Sequence, residues 1–294
     1  MLDDVLGYLR CPHCAGALSR SGGTLRCGAG HCFDIARQGY VSLLPAGAAK
    51  NAGDTAAMAR ARHDFLAAGH FAGLAAALTG MVAAELPGAA GRPGCVADLG
   101  AGTGYYLAAV LGPLPRHVGL ALDRSKHALR LAVRAHRRIG AVACDAWRPL
   151  PVADGAADLV LNVFAPRDGA QLRRITAPQG RLLVVTPAAD HLGELVGPLG
   201  LLRVDERKRE RLAAQLGPYF DLLGEREYRG LMSLDHAAVS ALAAMSPSAW
   251  HAEPDEFAVR IARLPEPVPV TLAVRLSVLR PVRNARPSAT HRGA

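Results

Sequence analysis

From Cys95 onward, short apolar runs alternate with stretches of helical periodicity, and a glycine-rich turn sits at the first crossing. The runs cover residues 95–99, 118–122, 141–144, 159–164 and 182–186. Strands that are apolar on both faces, each followed by a helix, are what a parallel sheet covered on both sides requires. The pattern predicts a doubly wound, mostly parallel α/β domain. Residues 219–231 and 268–279 are placed to add antiparallel strands. The chain has 294 residues, half of them hydrophobic, which is enough for one large domain and a small module. That apolar content excludes wholesale disorder.

The turn reads Asp98-Leu-Gly100-Ala-Gly102-Thr103-Gly104. Three glycines at this spacing allow a tight turn and a close backbone approach to a ligand. Alone, such a loop is a weak signal. Its companions sharpen it: the second run ends in Asp123, placed to accept hydrogen bonds from two ribose hydroxyls. The third ends Cys144-Asp145-Ala146, where an acid can meet an adenine amino group. The dinucleotide fingerprint G-x-G-x-x-G is absent. An acid before the glycines, with acids ending the next two strands, matches S-adenosylmethionine-dependent methyltransferases. Asp98, Gly100, Gly102, Thr103 and Gly104 are then expected at the methionine end and ribose, Asp123 at the ribose, and Asp145 with Ala146 at the adenine.

Four of the six cysteines lie between Cys11 and Cys32. Cys11-Pro-His-Cys14 is followed, twelve residues on, by Cys27-Gly-Ala-Gly-His31. Two residues between thiolates let one turn aim both at a point, and the second pair completes a tetrahedral set suited to structural Zn²⁺. Cys11, Cys14, Cys27 and His31 are the expected ligands, with Cys32 and His13 as alternatives for the fourth. About 45 residues cannot bury enough surface to fold unaided, so a metal would supply much of that module's stability.

Lys and Arg number 34 against 25 Asp and Glu, a net charge of +9. That favours a polyanionic partner. Only three of the cations are lysine, so the arginine excess also fits a GC-rich coding bias. Arg37, Lys50, Arg60 and Arg62, close to the cysteine module, are the preferred phosphate contacts. The charges at 203–211 include three acids and read as a solvated helix face. No apolar run reaches the ~18–20 residues of a membrane span, and the N-terminus has no signal-peptide core, so a cytoplasmic protein is expected.

Nearly the whole chain resembles the bacterial 23S rRNA guanine-N1-methyltransferases of the RlmA type, and most closely the actinobacterial subgroup of tylosin- and mycinamicin-resistance enzymes. The resemblance is carried by Cys11-Pro-His-Cys14, by His31-Cys-Phe-Asp-Ile-Ala-Arg-Gln-Gly-Tyr-Val-Ser-Leu-Leu44, by Gly53-Asp54 with Met58, and by Gly69-His-Phe71. Further matches are Asn162-Val-Phe-Ala-Pro166, Val185-Thr-Pro187 with His191, Leu201-Leu-Arg-Val204, and Met245-Ser-Pro-Ser-Ala-Trp-His251. It implies a zinc-ribbon-like RNA-recognition module over residues 1–45, a linker and helices that could form a lid over 46–86, a Rossmann-like class I methyltransferase domain over 87–281, and a basic disordered tail over 282–294. It also implies methylation of N1 of a guanine in hairpin 35 of 23S rRNA, the position-748 class, macrolide resistance, and a homodimer.

Phe71, Asn162 and His191 join the expected cofactor contacts through the resemblance. Where the family often has Tyr, this chain has Phe71, and its alternative role is helix core. A base must take the guanine N1 proton; Asp54 and Glu194 are the candidates, though no motif names either. A small-molecule methyltransferase of an antibiotic biosynthetic cluster is the alternative function, and a binding protein with an inactive Rossmann domain a third. The zinc pattern and the charge speak against the former, the three acids against the latter.

Overall fold

In the computed structural model, residues 1–45, 53–86, 91–205, 207–245 and 254–282 are described. The chain opens with a short helix α1 (Leu2–Val5), a 3-10 turn (Leu6–Tyr8), and strands β1 (Leu18–Ser21), β2 (Thr24–Cys27), β3 (Cys32–Asp34) and β4 (Tyr40–Ser42). Helices α2 (Ala56–Ala67) and α3 (Ala72–Glu85) follow. They break at Gly69, where φ is +86°. The alternating region then runs β5 (Gly94–Leu99), α4 (Tyr105–Val110), β6 (His117–Asp123), α5 (Lys126–Ala135), β7 (Ile139–Ala143), β8 (Ala157–Val163), α6 (Gly169–Ile175) and β9 (Thr176–Pro187). It ends with α7 (Gly193–Leu199), α8 (Lys208–Leu216), β10 (Phe220–Leu234), α9 (His236–Ala244), α10 (Pro254–Ala262) and β11 (Val268–Pro281).

Two sheets form. β1, β2 and β3 make a small antiparallel sheet, and the other eight strands make one sheet in the order β10-β11-β9-β8-β5-β6-β7-β4. From β4 to β9 neighbouring strands are parallel, while β11 and β10 run antiparallel, as the sequence predicts. Every residue of β5, β7 and β8 is buried, the consequence of having helices on both faces. One face packs on α2–α5, α7, α9 and α10, with Val96, Ala121 and Leu161 among its core residues. The other packs on α1, α6, α8 and the small sheet, with Cys95, Ala97, Leu120 and Val142. The strand order reverses between β5 and β8, so a crevice opens at their carboxyl ends.

The first 45 residues do not keep a core of their own. The strand falls at 40–42, overlapping the β-like residues 41–44 of the sequence, and β4 pairs in parallel with β7 at the edge of the large sheet, Val41 opposite Val142. Leu9 bridges Val152, and Val5 lies so close to Gly140 that a Cβ there would fall 2.3 Å from its side chain. Leu2, Val5, Leu9, Leu18, Leu25, Val41 and Leu43 share one apolar cluster with Cys95, Leu120 and Val152. The reason is economy of burial: a module this small hides its apolar face most readily against the sheet beside it. Among the described residues no single helix is long and apolar enough to cross a membrane; α2 and α3 meet that test only as a pair bent by 78°.

Candidate active site and metal centre

The small sheet and the turn before it bring two knuckles together. The first is closed by Cys11 N–H donating to Gly16 O (2.8 Å) and Ala15 N–H to Cys11 O (2.9 Å); the second by Cys27 N–H to His31 O (3.1 Å) and Gly30 N–H to Cys27 O (3.0 Å). The ligand atoms of Cys11, Cys14, Cys27 and His31 all lie within 4.8 Å of one another. His31 Nδ1 is 3.5 Å from Cys11 Sγ and 3.3 Å from Cys27 Sγ, and Cys14 Sγ is 3.6 Å from Cys27 Sγ. Tetrahedral zinc with Zn–S bonds of about 2.3 Å needs ligand separations of about 3.7 Å, so the four residues fit the ion. Burial disfavours the Cys27 thiolate, but hydrogen bonds with the His31 ring and nearby backbone outweigh it and bring its pKa down to about 6. Cys32 is exposed on β3 opposite Arg26. His13 packs against Phe33 instead, ring centroids 5.9 Å apart. The fourth ligand is therefore His31.

At the carboxyl end of β5 the chain turns through Gly100, Gly102 and Gly104 with φ of +78°, +54° and +78°. Gly100 and Ala101 donate to Leu122 O at 2.8 and 3.1 Å, which fastens the turn to β6. A Cβ on Gly100 would lie 2.3 Å from Ala165 Cβ, so no larger residue fits. The Asp123 carboxylate at the end of β6 accepts from Gly102 N–H (2.8 Å) and Ser125 N–H (2.7 Å). Burial raises its pKa against these bonds. Asp98 is 2 % exposed, and its Oδ1 has no hydrogen-bond partner. Burial, and then the nearby Asp123 charge, push its pKa up to about 8. A buried, unpartnered carboxyl group is costly, and a cationic ligand is the natural relief. Thr103, within the same turn, is also buried. The chemistry of this donor set fits the amino-acid end and ribose of S-adenosylmethionine.

Around this centre the remaining expected residues divide. Asp145, half-buried after β7, pairs with Arg124 (3.2 Å) and accepts from Trp147 N–H (3.0 Å). Ala146 packs against the apolar cluster beside it. Asn162, fully buried at the end of β8, donates to Pro166 O (3.0 Å) and Leu99 O (3.4 Å), leaving its Oδ1 without a partner. His191 is held by Nδ1 to Ala273 O (2.9 Å), its ring 5.8 Å from that of Phe164. Phe71 is 4 % exposed and meets Phe65 edge-on at 5.3 Å, which places it in the helix core.

Three of the expected residues have partners within the chain. Arg62 is partly buried: its Nε donates to Asp54 Oδ2 and its Nη2 to Met245 O, both at 2.9 Å, and its Cδ lies against Gly102. Asp54, pinned by Arg62 and tied through its carbonyl to Ser125 Oγ (2.7 Å), holds α2 over the glycine turn rather than standing free as a base. Glu194 is no free base either, since Thr271 donates to both of its oxygens, N–H at 3.0 Å and Oγ1 at 2.5 Å. Those bonds lower its pKa although burial opposes them. Arg37 and Arg60 are exposed; Lys50 lies outside the described residues. Within 203–211, Arg209 pairs with Glu225 and Arg211 with Asp205.

Two residues of the site were not anticipated. Ser125 caps α5 by accepting from Ala128 N–H (3.2 Å), and its hydroxyl donates to Asp54 O; a serine just before a helical run signals a cap, but not the second contact. Phe164 stands 39 % exposed with φ of +53°, a strained state for a bulky residue, costing about 1–3 kcal/mol. No local sequence signal marks it.

A glycine turn between β5 and α4, acids on the ends of β5 and β6, and the eight-stranded order define a Rossmann-like class I methyltransferase fold carrying a zinc ribbon. The family described as "RlmA, N-terminal", a zinc ribbon, matches residues 9–51. A 23S rRNA (guanine(748)-N(1))-methyltransferase of Streptomyces fradiae is 51% identical over 282 residues, covering 96% of this chain and all of that protein. A Micromonospora griseorubida protein, named after the same 23S rRNA guanine-N1 methylation, is 50% identical over 96% of this chain and 100% of its own. Among solved structures, an S-adenosylmethionine-dependent methyltransferase of Geobacter sulfurreducens is similar with a TM-score of 0.44, at 17% identity, over 70% of this chain and 90% of that one. The chain belongs to the RlmA-type family of 23S rRNA guanine-N1-methyltransferases.

Proposed function

We propose that the chain transfers the methyl group of S-adenosylmethionine to N1 of a guanine in hairpin 35 of 23S rRNA, the position-748 class, and so protects the ribosome from macrolides. The observation that carries this reading is half-identity over the full length of the Streptomyces fradiae enzyme. Bound S-adenosylmethionine supplies a methyl group already activated on a sulfonium, which leaves placement to the protein. Asp98 would take the ammonium of the amino-acid tail. Asp123, which keeps a lone pair on each oxygen beyond its two backbone bonds, would take the ribose hydroxyls, and Asp145 the adenine end. The Asp54–Arg62 pair holds α2 above the turn and excludes water from it. Arg37, Lys50 and Arg60 supply phosphate contacts, and the zinc ribbon recognises the hairpin by its shape. The enzyme acts in the cytoplasm as a homodimer, for which the free edge strand β10, with Leu222, Leu223 and Leu231 exposed, offers an apolar surface.

Primer extension on 23S rRNA from cells with and without the gene tests the reading. N1 methylation blocks Watson–Crick pairing, so the expected result is a gene-dependent stop one nucleotide before the hairpin-35 guanine. Uninterrupted extension through that position in both strains would defeat it.

A further inference from the structure

We infer that Phe164 is the platform on which the target guanine stacks while its N1 is presented to the methyl donor. This rests on the functional reading above. The left-handed φ of +53° is a conformation that glycine or asparagine would adopt with less strain. The turn around it is held in several ways. Phe164 N–H donates to Val185 O at 3.1 Å, the Asn162 amide closes onto Pro166 O, and Ala165 is buried against Gly100. Val163 and Ala165 point into the core, and the aromatic ring between them is left outside. Strain over-determined by its surroundings, spent on exposing a phenyl ring, follows the pattern of a functional site.

The position fits the chemistry. Phe164 follows β8 at the point where the strand order reverses, and its neighbour Ala165 touches the first glycine of the cofactor turn. A guanine whose N1 reacts is unpaired and out of its stack, and needs a new stacking partner. His191 flanks the ring at a 35° tilt, and the Asn162 Oδ1, buried without a partner, is an acceptor at the base of the same turn. The other large aromatic exposed among the described residues, Trp147, lies beside Asp145, at the adenine end, with an ordinary backbone.

The test uses the full chain with an RNA hairpin bearing the target loop. Base–aromatic stacking predicts a loss on the order of 10–100-fold in single-turnover methylation for Phe164→Leu, with S-adenosylhomocysteine affinity by calorimetry unchanged. Phe164→Tyr restores the rate to within a few-fold. Phe164→Gly, which relieves the strain, keeps the thermal midpoint at or above wild type while losing methylation. A leucine variant as active as wild type overturns the inference, as does one that loses cofactor affinity in step with rate. Wild-type protein that leaves the hairpin and whole 23S rRNA unmethylated defeats the functional reading itself, and the platform with it.

Discussion

Asp98 shows how a single residue couples the fold to its ligand. Its folded-state pKa of about 8 lies well above the usual carboxylate range, because burial disfavours the charge. Between about pH 4 and 8 the unfolded chain has released this proton while the folded chain keeps it. Folding then binds protons, and stability falls as pH rises, with the full cost present above about 8. Asp98→Asn removes that cost. Without ligand, its unfolding free energy is expected above wild type at pH 8.5, by on the order of 1–3 kcal/mol, and to converge with wild type towards pH 4; parallel unfolding curves across this range check it. The same change removes the partner of the ligand's ammonium, so S-adenosylhomocysteine affinity falls about 10–100-fold by calorimetry. Arg62→Ala belongs at this scale too. It leaves Asp54 unpaired near Asp123 and frees the α2 tether, so cofactor affinity drops on the order of 10-fold. The salt dependence of RNA binding stays as in wild type. A flattened salt slope with intact cofactor binding would return Arg62 to the RNA side.

At the scale of elements, α1 and β4 decide how the zinc ribbon and the large sheet behave. Burying Leu2, Val5, Leu9, Val41 and Leu43 contributes about 1.5–3 kcal/mol each. Together that is on the order of 10 kcal/mol, comparable with the whole stability of a domain. A chain begun at Ala46 also strips the partner from β7. It is expected to lose S-adenosylhomocysteine binding and to aggregate, not to survive as an independent methyltransferase domain. Retained cofactor binding in that truncation would show the two cores to be separable. The metal follows the same logic. Purified protein should hold about one zinc per chain, and Cys27→Ser should lose it. Because Leu18, Leu25 and the sheet share one cluster, the loss should lower a single melting transition. Two resolved transitions by calorimetry would contradict the shared core.

For the whole molecule, the net charge of +9 sets association with RNA more than it sets the fold. Many arginines are already committed: Arg62 to Asp54, Arg124 to Asp145, Arg174 to Asp154, Arg229 to Asp190 and Arg275 to Glu225. Arg37, between β3 and β4, and Arg60, on α2, remain exposed. Changing Arg37, Lys50 and Arg60 together to Ala should weaken hairpin binding at any sequence. It should also reduce the slope of log affinity against log salt by about 2, at roughly 0.7–0.9 per phosphate contact. Titrations at two salt concentrations, with cofactor affinity as control, measure this; an unaltered slope would place the phosphates elsewhere.

The sequence by itself determined what depends on local pattern. Fully apolar runs fixed the strands of the parallel sheet, since only two-sided burial accounts for such runs. The glycines at 100, 102 and 104 marked the turn, because only they adopt its dihedrals without strain. The Cys11–Cys14 and Cys27–His31 pairs marked the metal, because short knuckles carry their own geometry. Tertiary structure decided what depends on which surfaces meet. Residues 40–42 have the same β pattern whether they pair within the ribbon or with β7, and only the available edge of the large sheet chose between them. Arg62 reads as one more surface cation until Asp54 and the Met245 carbonyl, 183 residues away, come within reach. Phe164 reads as the end of a buried strand. Its left-handed backbone is held by the Asn162–Pro166 bond within the turn and by the bond to Val185 O on the neighbouring strand, and no spacing along the chain encodes the second.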